Sequence, residues 1–138
     1  MSWADSLIKL STFEVEELQK RLGEIVSRRQ DAEMRLMMLD AEGEAETERA
    51  RGDAQAGWYL IGFREGLKLR RARIEAEIAL IQAEEVGCRD ALTGAFESQK
   101  KYEHVAEQMA LAARKAEAHR ETQAMNDIGL RRAVAGHR

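Results

Sequence analysis

The chain has 138 residues, enough for one domain, and a net charge of −3. Alanine, glutamate, lysine, leucine and arginine make up 76 of the 138 residues, a composition typical of long helices and coiled coils. Proline is absent, so no helix need be interrupted by its ring. A nucleic-acid binder needs a cationic excess to displace phosphate counterions, and the small negative charge argues against that function.

Membrane and secreted proteins are disfavoured by the same sequence. Apolar runs such as Ala79–Ile81 are a few residues long, far short of the roughly 20 residues that span a bilayer. Residues 1–5 contain no basic stretch followed by an apolar one, so we expect no signal peptide. Cys88 is the single cysteine and cannot form an internal disulfide. We therefore expect a reduced, cytoplasmic protein.

The first predicted element is a helix over about residues 3–45, followed by a turn over about 46–57 and a second helix over about 58–132. Gly52, Gly57 and the alternating glutamates before them place the turn. Both helices carry apolar residues at heptad spacing, which predicts that they pack along a seam. On the second helix nine consecutive heptad positions are apolar, namely Leu60, Leu67, Ile74, Ile81, Cys88, Ala95, Tyr102, Met109 and Ala116.

The fold predicted from this pattern is all-α: two long helices in one domain that form an antiparallel, left-handed coiled-coil hairpin. A turn centred at Arg51–Gly52 places Ile25 opposite Ile78 in the seam. A slip of one heptad, which places Ile25 opposite Glu85, remains open because the polar seam positions disfavour both registers alike. The second helix is the longer one, and roughly its last 25–30 residues are expected to overhang the start of the first helix.

The sequence contains no motif for catalysis. A phosphate-binding loop, a dinucleotide-binding glycine motif and a paired-cysteine motif are absent from it, and a two-helix hairpin offers no enzyme-sized cavity. We therefore expect a protein without enzymatic activity, cofactor or metal. His104 and Gln108, one helical turn apart, are interpreted as a solvated face rather than metal ligands. Cys88 is interpreted as a small seam residue rather than a reactive thiol.

Apolar residues outside the seam form three groups, and such exposed groups indicate contacts with partners. They are Trp3, Leu7, Leu10 and Phe13 near the start, Met34, Met37 and Met38 later in the first helix, and Trp58, Tyr59, Ile61 and Phe63 after the turn. Two alternatives need no partner. The first group would then pack against the overhanging helix, and Trp58 and Phe63 would cap the turn.

In order and spacing, these features resemble the FliJ family, a small cytoplasmic component of the flagellar type III protein-export apparatus. The resemblance covers nearly the whole chain. Before the turn it rests on Leu7, Leu10, Val15, Leu22–Glu24, Ala32, Glu33, Leu36 and Leu39. After the turn it rests on Trp58, Phe63, Leu67, Lys100, Lys101, Glu103, Gln123 and Asp127. Family members often carry aromatic residues late in the first helix, where this chain has Glu42 and Glu46.

The resemblance implies a non-enzymatic stalk, similar to the rotor shaft of rotary ATP synthases. The implied partners are a hexameric export ATPase (FliI-like), an export gate protein (FlhA-like) and export chaperones, with no nucleic acid and no transmembrane segment. The implied location is the cytoplasm at the inner face of the membrane, below the flagellum. The implied ATPase-binding residues are Trp3, Leu7, Leu10, Phe13, Gln123 and Asp127, and the implied gate-binding residues are Leu39, Phe63 and Leu67.

Two other functions remain open at this point. One is a generic coiled-coil scaffold or chaperone hairpin that dimerises through the overhang, which self-association of the isolated chain would indicate. The other is a regulator that binds membranes or nucleic acid, suggested by the basic stretch Arg64–Arg73. A strongly salt-dependent affinity for lipid or DNA would favour that function.

Overall fold

The computed structural model describes residues 2–53 and 55–136, which form two α-helices. The first, α1, runs over Trp3–Ala50 and the second, α2, over Ala56–Gly136. They have 48 and 81 residues, so the prediction of an all-α fold with a longer second helix is confirmed. Both helices extend beyond their predicted limits. Gly43 and Gly57 lie within helix, and only a short segment that contains Gly52 remains between α1 and α2.

The start of α1 is fixed by a reciprocal cap. The Ser2 hydroxyl accepts a hydrogen bond from the Asp5 backbone N–H (3.2 Å), and the Asp5 carboxylate accepts one from the Ser2 backbone N–H (3.2 Å). Each satisfies a donor that the first helical turn leaves without a partner. Hydrogen bonds from the Ser2 hydroxyl and then its backbone N–H lower the pKa of Asp5.

The turn between the helices depends on Gly52, whose φ of 88° lies in the left-handed region that glycine adopts without strain. The Arg51 and Asp53 backbone N–H groups donate to the carbonyls of Glu48 (3.2 Å) and Ala50 (3.3 Å). These bonds close the end of α1 and reverse the chain. The acidic run Glu42–Glu48, which was predicted to border the turn, lies entirely within the last turns of α1.

The chain divides into two compact units, one of which is Glu14–Gly94. In this unit the two helices pack antiparallel around a core of Ile25, Ala32, Ile81 and Cys88, with Leu18, Leu22 and Ile78 partly buried against it. The Cys88 thiol lies 3.6 Å from the Leu18 carbonyl. Cys88 is therefore a packed seam residue, as the heptad pattern predicts.

The register is the slipped one, so the placement of Ile25 opposite Ile78 is wrong. Leu67 of α2 lies against Gly43 of α1, and a Cβ at Gly43 would be 2.6 Å from Leu67 Cδ2. The physical reason is electrostatic as well as geometric. The slip lets polar seam residues pair across the helices, as Arg29 does with Glu85 at 3.1 Å. The two registers are therefore not equally disfavoured.

The second unit comprises the residues up to Phe13 together with those from Ala95 onward. Small residues at its seam, Ala4, Ser11 and Ala95, are buried, and Gln99 Nε2 donates to Thr12 Oγ1 at 3.0 Å. Every described residue from 107 to 136 is exposed. The predicted overhang is present, and Met109 and Ala116 lie on it rather than in the seam.

Candidate interaction surfaces

The four apolar residues near the start of α1, Trp3, Leu7, Leu10 and Phe13, form what we call the terminal surface. Trp3, Leu10 and Phe13 are exposed, and Leu7 is half-buried. The alternative in which this group packs against the chain's own second helix therefore fails for three of the four residues. The buried seam positions at this end of α1 are the neighbouring Ala4 and Ser11.

Gln123 and Asp127 also belong to the predicted ATPase-binding set. Both are exposed and lie in the stretch of α2 where every residue is open to solvent. Gln123 is about 24 Å along the helix axis from Glu107, where that stretch begins. The structure therefore does not join these two residues to the terminal surface in one compact site. Any partner that contacts both sets has to be large.

The predicted gate-binding residues differ in exposure. Leu39 is only 7% exposed and belongs to the seam. Phe63 is half-buried and stacks on Tyr59, with ring centroids 6.1 Å apart. Leu67 is half-buried over Gly43. Trp58 is 86% exposed, so the alternative in which it caps the turn is wrong.

A groove of about 490 Å³ runs between the helices of the unit Glu14–Gly94. Its floor is apolar and its rims are charged, formed by Arg35, Met38, Leu39, Glu42, Arg70, Arg73, Ile74 and Glu77. Sequence reasoning did not find this groove, because the register decides which residue of α1 lies beside Ile74. Met38, one of the exposed methionines of α1, was its visible signal.

Ion pairs between the helices are a second feature that the sequence analysis missed. They connect Arg28 with Glu84 (2.7 Å), Arg29 with Glu85 (3.1 Å), Arg35 with Glu77 (2.7 Å) and Arg71 with Asp40 (2.9 Å). The hydrogen bonds from these arginines lower the pKa values of Asp40, Glu77 and Glu84. For Glu85, burial raises the pKa, but hydrogen bonds from Arg29 and Arg89 outweigh it and the net shift is downward.

One of these ion pairs involves the basic stretch Arg64–Arg73, which suggested a membrane or nucleic-acid site. Arg71 binds both Asp40 and, at 2.6 Å, Glu75. Its charge is therefore compensated inside the molecule, which weakens the case for a lipid or nucleic-acid site. Exposed ion pairs contribute little stability individually, since solvent screens them. Their main effect here is on register, because a wrong register separates the partners.

Metal clusters and membrane-spanning segments are both absent from the part of the chain that the structure describes. No group of three histidine, cysteine, aspartate or glutamate side chains within it could hold a metal ion, and His104 is exposed. Within the same residues, neither helix contains a stretch both long and apolar enough to cross a bilayer.

Comparison with known proteins identifies relatives over nearly the full length. The chain is 57% identical over 137 residues to the "Flagellar FliJ protein" of two Caulobacter vibrioides strains, NA1000 / CB15N and ATCC 19089 / CIP 103742 / CB 15. The alignment covers 99% of this chain and 98% of each relative. No protein-family model matches the chain. No solved structure matches it either.

Proposed function

Because the chain belongs to the flagellar FliJ family, we propose that it is a non-enzymatic component of the flagellar type III protein-export apparatus. In this proposal it is a central stalk that binds and activates the hexameric export ATPase and links it to the export gate and to export chaperones. It acts in the cytoplasm, peripherally attached to the inner face of the membrane at the flagellar base. The observation that carries the proposal is full-length identity of 57% to FliJ relatives.

The terminal surface is the proposed contact with the ATPase. Trp3, Leu10 and Phe13 are exposed at the start of α1. Burying a large apolar side chain stabilises a complex by about 1.5–3 kcal/mol, whereas association costs about 4–15 kcal/mol in lost freedom of motion. Three such residues therefore supply only part of the binding free energy. The exposed segment of α2, with Gln123 and Asp127, supplies further contacts in the proposed complex.

The exposed segment of α2 fits a ring better than a small partner. Residues 107–136 of α2, which we call the exposed segment, are open to solvent on every side of the helix, and a central pore can contact a helix from all directions. Its apolar residues, Met125, Ile128, Leu130 and Val134, are exposed in the isolated chain. Exposure of these apolar side chains to water along the final turns of α2 is unfavourable and indicates an interaction site. Enclosure by a surrounding ring would bury these side chains and remove them from water.

The proposed contact with the export gate lies on α2. Leu39 is buried and Glu42 and Glu46 occupy positions where relatives of the family often have aromatic residues. Phe63 and Leu67 are half-buried and retain surface for a partner. We therefore assign gate contact to Phe63 and Leu67, and we leave Leu39 in the seam, where it lies in the same groove as Ile74.

A pull-down with the intact chain from an extract of flagellated cells tests this function. The proposal predicts recovery of a hexameric ATPase. It further predicts that Leu10→Glu plus Phe13→Glu abolishes recovery, because burying an unpaired carboxylate at an interface costs more than the roughly 2–7 kcal/mol of an uncharged polar group. Both residues are exposed, so helicity should be unchanged. The matched control is Met34→Glu plus Met37→Glu, two equally exposed apolar residues of α1, which should retain binding.

Failure to recover any ATPase with the intact chain contradicts the proposal. If the chain instead recovers only itself, and does so through the exposed segment of α2, the generic scaffold becomes the better account.

A further inference from the structure

The face of α2 opposite the seam carries an exposed apolar stripe within the unit Glu14–Gly94. Three large side chains on it, Trp58, Leu69 and Leu80, are 86%, 64% and 71% exposed. We call the whole set the outer stripe. It consists of Trp58, Ile61, Glu65, Leu69, Ala72, Ala76, Leu80, Ala83, Gly87, Ala91 and Gly94, all of them exposed.

The outer stripe has a different repeat from the seam. Its members recur every eleven residues in three series, Trp58–Leu69–Leu80–Ala91, Ile61–Ala72–Ala83–Gly94 and Glu65–Ala76–Gly87. Eleven residues over three turns is close to the natural period of the helix, so the stripe follows α2 with little drift. A second straight helix can therefore stay in contact along the whole stripe. An exposed face of this length that is apolar except for Glu65 marks a site of association.

We propose that the outer stripe is the contact surface of a homodimer, in which α2 of a second copy lies antiparallel with Ala76 on the two-fold axis. The order of large and small residues selects this partner, because a two-fold contact places a surface against itself in reverse. Each large residue then meets a small one. Trp58 faces Gly94, Ile61 faces Ala91, Leu69 faces Ala83 and Leu80 faces Ala72 of the second copy.

Alternation of large and small residues across facing positions lets two surfaces interdigitate without voids. The same reversal places Glu65 opposite Gly87, which leaves its carboxylate room to reach water. An unrelated partner helix would not require the stripe to match its own reversed sequence. The match therefore favours a second copy over a different protein.

Charge along one edge of the outer stripe has the same symmetry. Arg70 and Arg73 lie on that edge in its first half, and Glu77 and Glu84 follow on the same edge. A two-fold axis perpendicular to α2 brings equal edges together in opposite directions. Reversal about Ala76 puts positions 79 and 82 opposite Arg73 and Arg70. Glu77 and Glu84 of the second copy lie two residues from those positions, about 3 Å along the helix axis, which the long arginine side chains can bridge.

The groups on this edge are free to make those contacts. Among the ion pairs of the described residues, neither Arg70 nor Arg73 takes part, while Glu77 and Glu84 each bind one arginine of α1. A carboxylate has about four acceptor sites and can take a second donor. The outer stripe and its edge share no residue with the terminal surface, so dimerisation is an activity distinct from ATPase binding.

Cross-linking through a new cysteine tests the two-fold axis directly. In the intact chain with Cys88→Ala, Ala76→Cys places two thiols face to face in the proposed dimer, within the Cβ separation a disulfide needs. We expect mild oxidation to give a covalent dimer. Ala41→Cys is the matched control, because Ala41 is an exposed alanine of α1 in the same unit. Equal yields for the two variants, or no dimer for Ala76→Cys, would overturn the proposal.

Sedimentation of the intact chain over a range of concentrations tests the surface independently. We expect a monomer–dimer equilibrium that Leu69→Glu plus Leu80→Glu abolishes without loss of helicity, and that Met34→Glu plus Met37→Glu leaves unchanged. A chain that is monomeric at every concentration contradicts the proposal. So does a dimer that survives Leu69→Glu plus Leu80→Glu, since association would then use another surface.

Discussion

Truncation of Ile81 tests the packing seam of the unit Glu14–Gly94. Ile81 is 3% exposed, so Ile81→Ala removes three carbons from an apolar contact. At about 0.8 kcal/mol per buried carbon the transfer loss is about 2.4 kcal/mol. A cavity adds to this loss in enclosed cores, where such changes cost about 2–5 kcal/mol. A seam between only two helices is open at its sides and can relax, so we expect about 2–3 kcal/mol in total.

Urea unfolding of the intact chain, followed by circular dichroism at one protein concentration, measures this loss. Leu22→Ala should cost about 1–2 kcal/mol, because Leu22 is half-buried. Met37→Ala is the control in the same unit, and it should cost under about 0.5 kcal/mol because Met37 is exposed and both residues favour helix. The free energy of unfolding should decrease with urea concentration at the same slope in all variants. A loss for Met37→Ala as large as that for Ile81→Ala would refute the assignment of the seam.

Three further predictions concern register, packing and pH. With Cys88→Ala, the pair Ile25→Cys and Glu85→Cys should form an intramolecular disulfide, whereas Ile25→Cys with Ile78→Cys should not; the reverse result would restore the unslipped register. Gly43→Ala should be less stable than Gly23→Ala by about 0.5–1.5 kcal/mol, because the new methyl group displaces the end of the Leu67 side chain at the first position and meets nothing within 4 Å at the second; equal stabilities would contradict the close approach. The lowered pKa of Glu84 means that its ion pair stabilises the fold fully above the ordinary value of 4.5 and is lost as the pH falls through the lowered pKa. The urea concentration at the unfolding midpoint should therefore decrease as the pH is lowered below about 4.5, and the decrease should be smaller for Glu84→Gln. An identical pH dependence of the midpoint in the variant would show that the ion pair contributes nothing.

The helices, their antiparallel packing and the overhang were predictable because they depend on composition and heptad spacing, which are local properties. Register was not predictable from apolar positions alone. A heptad pattern is unchanged by a shift of seven residues, so apolar positions fit both registers. The two registers are distinguished by the pairs Arg29–Glu85 and Arg71–Asp40, which become visible only when the two helices are aligned. A search for charge pairs between polar seam positions could have identified the slip.

The candidate surfaces were predicted in part. Trp3, Leu10 and Phe13 are exposed because they lie away from the heptad positions, which is a property of the sequence. Leu39 was placed in the gate-binding set by resemblance alone, and its position in the seam follows from its own heptad position. The resemblance and the heptad pattern therefore gave different expectations for this residue, and the structure supports the heptad pattern.

The measurement that tests the proposed function most directly is the rate of ATP hydrolysis by the purified export ATPase with and without this chain. The account predicts that the intact chain raises the rate and hydrolyses no ATP by itself. It also predicts that Leu10→Glu plus Phe13→Glu removes the stimulation while Met34→Glu plus Met37→Glu retains it. Stimulation by the terminal-surface variant equal to that of the intact chain would contradict the account.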